Sequence, residues 1–308
     1  MLARWMYSAV VSVAVMSSMT SQCLRLFSSS SPSPSSPSHV KHVVFMHGLL
    51  SDAGEWQHFT DLIERHHPGT PVTAVSAFSN EDSLAPMWTQ ARQIANILRP
   101  LLTNSSLQTL AVCYSQGGLV CRGVLSLLPH NVHTLVVLSS PLAGEFGDTK
   151  EFFPFGNKFF RDNLYEVMYT PLGQDISIGG YWNDPRHQEA YRKWSRYLAV
   201  LNNVSDSAHV DRSREYKENF LRINRLVLVG GPDDEVITPW QSSQFGFYDS
   251  SLAVRPMQEQ EWYKNDAFGL RTLDESGAVV TFTFPGLKHN DWHLNNTVFE
   301  KCILPWLS

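Results

Sequence analysis

Residues 107–128 read LQTLAVCYSQGGLVCRGVLSLL, and the reading of this stretch decides the fold. Leu107 to Tyr114 is a short apolar run that reads as a buried strand, and Gln116 to Leu128 is a stretch of helical character. Between them the chain has one residue, Ser115, in which to change direction. Gly117 and Gly118 follow it, so that backbone can approach closely on the helix side of the turn. Cys113 lies two residues before the serine and Cys121 six residues after it.

Outward from this turn the same alternation repeats. Val43 to Met46 is an apolar strand, followed by the loop HGLLSDAG and a helical stretch with Trp56, Phe59, Leu62 and Ile63 at three- and four-residue spacing. Pro71 to Ala77 reads as a second strand. Leu84 to Leu102 reads as a second helix, distorted near its end by Pro100. Thr134 to Ser139, Arg225 to Gly231 and Ala278 to Phe284 supply three more strands. Strands alternating with helices imply parallel pairing and a sheet covered on both faces.

On that scaffold, strand, x-Ser-x-Gly and helix form a nucleophile elbow, which lifts a serine oxygen clear of the sheet. The expected fold is therefore an α/β-hydrolase, with a mostly parallel central sheet flanked by helices and an aromatic-rich lid insertion. Cys113 stands where G-x-S-x-G has its first glycine, so the motif is imperfect. A serine that merely caps a helix would look similar, and context has to separate the two.

A nucleophilic serine needs a histidine base and an acid that orients it, in the chain order Ser, Asp, His for this fold. Active residues lie beyond the carboxyl ends of the strands. After RLVLVGG come Asp233 and Asp234, in a turn opened by Pro232. After AVVTFTF comes PGLKHNDWH, with His289 in a loop and His293 near the next helix start. The loop position is better placed to reach back over Ser115, so His289 is the expected base and His293 a packing residue. The two aspartates remain level on position alone. Oxyanion donors are expected from the N–H of Gln116, directly after the nucleophile, and of Leu49, in the His47-Gly48-Leu49 loop at the first strand's end.

Composition sets the frame for this chemistry. At 308 residues, 43% hydrophobic and 17% charged, the chain can build one sizeable core. A net charge of −5 gives no electrostatic case for nucleic acid. No Cys-x-x-Cys, His-Glu-x-x-His or phosphate-binding glycine pattern occurs, so neither metal nor cofactor is expected. Residues 1–23, with Arg4, an apolar stretch to Met16 and then small polar residues, have the layout of a secretory signal peptide. The Ser/Pro-rich residues 24–38 read as a linker and 39–308 as the hydrolase domain. No later stretch has the roughly 18 apolar residues of a membrane helix.

The strings CYSQGGLVCRG, SSPLAGEFGD, YWNDP and GGPDDEVITPWQSSQFGFYD, with the His289 loop, resemble the palmitoyl-protein thioesterases from about residue 41 to the C-terminus. The resemblance implies hydrolysis of long-chain fatty acyl thioesters in the lysosome, with Ser115 as nucleophile, His289 as base and Asp234 as acid. It also implies a disulfide between Cys113 and Cys121, for which a helix folded back on its strand offers a reasonable geometry. The sequence departs from the family at Cys302, whose partner position in the strand before the His loop holds Phe282. An unpaired thiol in a secreted chain invites intermolecular pairing. No cysteine lies between Cys121 and Cys302, so a further family disulfide in the insertion is missing too.

The insertion, at about 145–220, is rich in aromatic residues. Most of these are expected to form the lid's own core, and a minority to line a channel for an acyl chain. Sequons stand at Asn104, Asn203 and Asn295, of which Asn203 and Asn295 are the expected glycan sites. Two other readings stay open on the residues alone. One is a lipase or carboxylesterase acting on oxygen esters, and the other is an inactive lipid-binding protein that keeps the fold.

Overall fold

The computed structural model describes residues 41–147, 163–206 and 212–307. The signal peptide and linker expected over 1–23 and 24–38, and the lid aromatics Phe152, Phe153, Phe155, Phe159 and Phe160, lie outside the described residues.

Six strands form one sheet: β1 Lys41–Met46, β2 Val72–Ala74, β3 Gln108–Tyr114, β4 Val132–Leu138, β5 Arg225–Gly230 and β8 Val279–Thr283. Their order is β2-β1-β3-β4-β5-β8 and every pairing is parallel. Two short strands, β6 Phe247–Tyr248 and β7 Val254–Arg255, pair antiparallel outside it. The register sets Cys113 opposite Met46 on one side and Val137 on the other. The ends of β1, β3 and β4 are thereby level, and the residues that follow them share one edge.

The two-residue period of a strand sorts the apolar residues onto two faces. Val43, Phe45, Leu110, Val112, Val136, Leu138, Val227 and Val229 join one core. Val44, Met46, Ala111, Cys113, Leu135, Val137, Leu226 and Leu228 join the other. Helices α1 Gln57–His66 and α5 Asn296–Cys302 cover the first face, and α2 Met87–Leu102, α3 Gln116–Leu127 and α4 Ser213–Phe220 the second. The inner strands β1, β3, β4 and β5 are covered on both faces, so their buried parts read as apolar runs rather than alternating ones.

Several expected boundaries move. The second strand ends at Ala74: the chain turns at Ala77 and Phe78, where the Ala77 carbonyl meets the His47 ring at 3.0 Å. Leu84 belongs to a separate 3-10 turn, Asn80–Leu84, and α2 starts after Pro86. The end of α2 stays at Leu102 as expected, with Pro100 in its last turn.

Between β4 and β5 the described part of the insertion is a set of short helices. Phe146, Tyr181, Trp182, Tyr191 and Tyr197 are buried in the second core, while Trp194 is half exposed. Arg122 of α3 pins this region to the sheet. Its guanidinium is fully buried and donates to Asn202 Oδ1 at 2.7 Å and Leu201 O at 3.0 Å, over the Phe268 ring.

Among the described residues no helix is long and apolar enough to cross a membrane. Cys302 is unpaired and fully buried, packed in the same core that Phe282 lines. Burial pushes its thiol up to about 12. The expectation that this odd thiol invites intermolecular pairing is therefore corrected: a buried, protonated thiol is neither accessible nor nucleophilic.

Candidate active site

Strand β3 ends at Tyr114 and α3 begins at Gln116, so the whole reversal falls on Ser115, at φ 53° and ψ −132°. A serine in this region is strained, and such strain persists only where the surroundings hold it. Ser115 N–H donates to Leu138 O at 3.0 Å, and Ser115 O accepts from Gly118 N–H at 3.0 Å. A Cβ at Gly117 would lie 2.3 Å from His47 O, so only glycine lets the β1 loop approach the turn. Behind the elbow, Cys113 and Cys121 form a disulfide with their Cα atoms 6.6 Å apart.

His289 lies in a short 3-10 turn beyond β8 and is buried, as are Ser115 and Asp234. Ser115 Oγ is 3.0 Å from His289 Nε2. On the other side of the ring, Nδ1 is 2.9 Å from Asp234 Oδ2 and 3.1 Å from Oδ1. The ring is held from its face by Tyr114, whose hydroxyl donates to His289 O at 2.8 Å. Of the two neighbouring aspartates, Asp234 is the one that faces the ring. Asp233 turns away and accepts the Gly286 N–H at 2.7 Å. His293 packs against the rings of Trp56 and Tyr114. Burial, and then the neighbouring His289, lower His293 to about 4, which keeps it neutral.

Asp234 is the most heavily hydrogen-bonded group in the site. Oδ1 accepts from the amides of Val236 at 2.9 Å and Ile237 at 3.0 Å. Oδ2 accepts from Trp292 Nε1 at 2.7 Å and from Ser139 Oγ. Burial opposes ionisation here, but the bonds from His289, Ser139 and the backbone outweigh it and hold the carboxyl down to about 2. A second buried acid, Glu145, lies nearby with both oxygens on the Thr238 amide, at 3.0 and 3.1 Å. Burial, reinforced by the Asp234 charge, raises it well above the carboxylate range. The two carboxyls are thus pushed in opposite directions, and the one pushed down faces the histidine.

The loop His47–Ser51 passes beside the elbow: a Cβ on Gly48 would lie 3.1 Å from Ser115 Cβ. Gly48 N–H donates to Glu55 Oε1 at 3.2 Å and Leu50 N–H to Ser83 Oγ at 2.8 Å. Among the described residues no acceptor takes the N–H of Leu49 or of Gln116. These are the two amides expected at an oxyanion. The arrangement can polarise a carbonyl, supply an alkoxide and shuttle one proton, the requirements of acyl transfer.

Sequence reasoning missed Ser139, Trp292, Tyr114, Glu145, Glu55 and Ser83. Ser139 and Tyr114 had a signal, because each ends a strand or directly follows one on the site's edge. Trp292 stands three residues after His289, one helical turn away, but nothing in its spacing pairs it with Asp234. The expected glycan sites are both on described loops. Asn295 caps α5 through Oδ1, and Asn203 Nδ2 donates to Ala267 O at 3.1 Å.

Residues 42–289 match the family model described as palmitoyl protein thioesterase. The chain is 43% identical over 289 residues to a Rattus norvegicus protein named lysosomal thioesterase PPT2, covering 92% of this chain and 93% of the relative. It is 43% identical to the Homo sapiens protein of that name, over 90% and 91% of the two chains. A Drosophila melanogaster protein named as a homologue is 38% identical, over 87% and 92%.

Proposed function

Because the chain belongs to the palmitoyl protein thioesterase family, we propose that it hydrolyses long-chain fatty acyl thioesters, such as palmitoyl-CoA and S-acyl groups, with Ser115, His289 and Asp234 as its catalytic triad. The observation that carries this reading is the continuous relay from Ser115 Oγ through His289 to Asp234, beside two amides left free at the elbow.

Ser115 Oγ attacks the thioester carbonyl while its proton passes to His289 Nε2. Asp234 holds the other ring nitrogen and stabilises the imidazolium. The carbonyl oxygen gains the charge and is met by the amides of Leu49 and Gln116. The C–S bond then breaks, and the thiol leaves with the proton from His289. Water attacks the acyl-enzyme with His289 again as base, which frees the fatty acid and regenerates Ser115. A thiolate is a good leaving group, so stabilising the oxyanion counts for more than protonating the sulfur.

The names of the relatives support a lysosomal site of action, reached through the secretory pathway by way of the signal peptide expected at 1–23. In that compartment the disulfide at Cys113 and Cys121 persists, and Asn203 and Asn295 are the glycan sites. The insertion at about 145–220 serves as a lid, with a minority of its aromatic rings facing the acyl chain.

The test is thiol release from palmitoyl-CoA by the secreted protein, beside hydrolysis of the matching oxygen ester, each compared with Ser115→Ala. Serine-dependent thiol release well above ester hydrolysis supports the thioesterase reading. Preference for the oxygen ester would replace it with a lipase, and no turnover of either, with no fluorophosphonate labelling of Ser115, with an inactive lipid-binding protein.

A further inference from the structure

Three consecutive amides, those of Gly48, Leu50 and Leu49 between them, point from the loop beyond β1, and they have different fates. Gly48 N–H is taken by the carboxyl of Glu55, seven residues on, which also takes the hydroxyl of Ser51. Leu50 N–H is taken by the hydroxyl of Ser83, from the 3-10 turn Asn80–Leu84. Leu50 adopts a left-handed φ of 54° there, a conformation that a leucine holds only under constraint. Ser83 is buried, and its carbonyl accepts from the side chains of Gln90 and Gln116, each at 2.7 to 2.8 Å. One network thus ties the loop, the turn at 80–84 and the residue directly after the nucleophile.

We propose that Glu55 and Ser83 are positioning residues for the oxyanion: by holding the Gly48 and Leu50 amides on either side of it they leave the Leu49 N–H free and aim it toward Ser115. This rests on the serine-hydrolase reading of the site. A loop amide contributes fully only if it is already oriented when charge develops, because donors that must reorganise lose most of their effect. Neither residue touches the substrate. The loop has few other ties at this point: His47 packs its ring on Gly48 O and Ala77 O, and the Ser51 carbonyl accepts the Asn80 amide. Burial raises the Glu55 carboxyl to about 7, against the bonds from Ser51 and Gly48 and with a smaller push from Asp52. A carboxyl held at that cost is consistent with a positioning role.

The test uses Glu55→Ala, Ser83→Ala and Glu55→Gln in the full chain, with Ser115→Ala as the control on the serine-hydrolase reading. Gln keeps a carbonyl for the Gly48 amide and an amide for the Ser51 hydroxyl. With palmitoyl-CoA, Glu55→Ala and Ser83→Ala are expected to lose about 10²-fold in kcat, the scale of one oxyanion donor, with KM within about threefold. Glu55→Gln is expected to recover most of the loss. Inhibition by a palmityl trifluoromethyl ketone, whose adduct carries the oxyanion, should weaken in step with kcat, while binding of palmitate stays unchanged. A kcat within threefold of wild type in both alanine variants, a loss confined to KM, or equal weakening of ketone and palmitate would overturn the proposal. If Glu55→Ala does not fold, Ser83→Ala and Glu55→Gln decide it. An inactive wild type, or activity surviving in Ser115→Ala, would instead overturn the reading it rests on.

Discussion

Replacing Gly117 by alanine puts one methyl group into the narrowest approach in the site. The new Cβ would lie 2.3 Å from His47 O and 2.8 Å from Met46 O. Both contacts are backbone atoms, so no side-chain rotation relieves them. Reaching the 3.0 Å below which Cβ contacts essentially never occur requires the β1 loop and the elbow to part by about 0.7 Å. Leu49 is two residues from His47 in that loop, and Gln116 adjoins Gly117, so the two proposed oxyanion donors separate with it. A misplacement near 1 Å costs about 10²-fold in rate, so kcat is expected to fall about 30- to 100-fold, or about 2 to 2.7 kcal/mol. Overpacking should also cost about 1–3 kcal/mol of stability. The assay is palmitoyl-CoA turnover at saturating substrate, with a urea melt on the same preparation. Gly118→Ala is the comparison, because its nearest atoms, at 2.5 Å, are the side chains of Val137 on β4 and Ser140 just beyond it rather than the loop backbone. It should lose stability with a smaller loss of kcat. A Gly117→Ala enzyme with kcat within threefold of wild type would refute the argument that this contact sets the loop against the elbow.

Trp292→Phe removes one donor from Asp234 Oδ2, and a hydrogen bond to a charged group contributes about 1.5–3 kcal/mol; kcat is expected to fall at least about tenfold, as read in the turnover assay. Asp234 has a depressed carboxyl, so its stabilising contribution is complete above its unfolded value of 3.8 and is lost as pH falls toward about 2. Acid melts should show Trp292→Phe losing it at higher pH than wild type. Glu55 has the opposite sign: its folded value, about 7, lies above its unfolded value of 4.5, so its contribution is present below 4.5 and is lost as pH rises through 7. Denaturant melts across that window should fall less steeply with pH in Glu55→Gln. Replacing Cys113 and Cys121 by alanine opens a loop of sequence separation 8, for which chain entropy gives about 2.5 kcal/mol. A urea midpoint series measures that loss, and an unchanged midpoint would count against it.

Much of this architecture was legible because parallel strands buried on both faces write themselves as apolar runs. β1, β3, β4 and β5 all show that run, and the serine at the end of β3 is marked by the glycines its turn requires. The start of α2 was misplaced because Leu84 continues the apolar pattern while belonging to a separate turn, and periodicity cannot distinguish the two across Ala85 and Pro86. Asp233 and Asp234 are neighbours with identical chemistry, level on position alone, and only the family resemblance points to Asp234. In the structure the Asp234 side chain turns toward His289 and that of Asp233 toward Gly286.

What the sequence by itself determined is the order of the elements, the faces on which they pack and the residue types at the strand ends. These follow from local periodicity and from steric demands within a few residues. What only the tertiary structure decided is how those residues are held: Ser139 and Trp292 on Asp234, Glu55 and Ser83 on the loop beside the nucleophile, and Cys302 shut inside a core. Contacts across 95 and 58 residues, in the first two cases, carry no local pattern. They exist because six parallel strands bring their carboxyl ends to one edge, where buried polar groups must find partners from whichever loops arrive there.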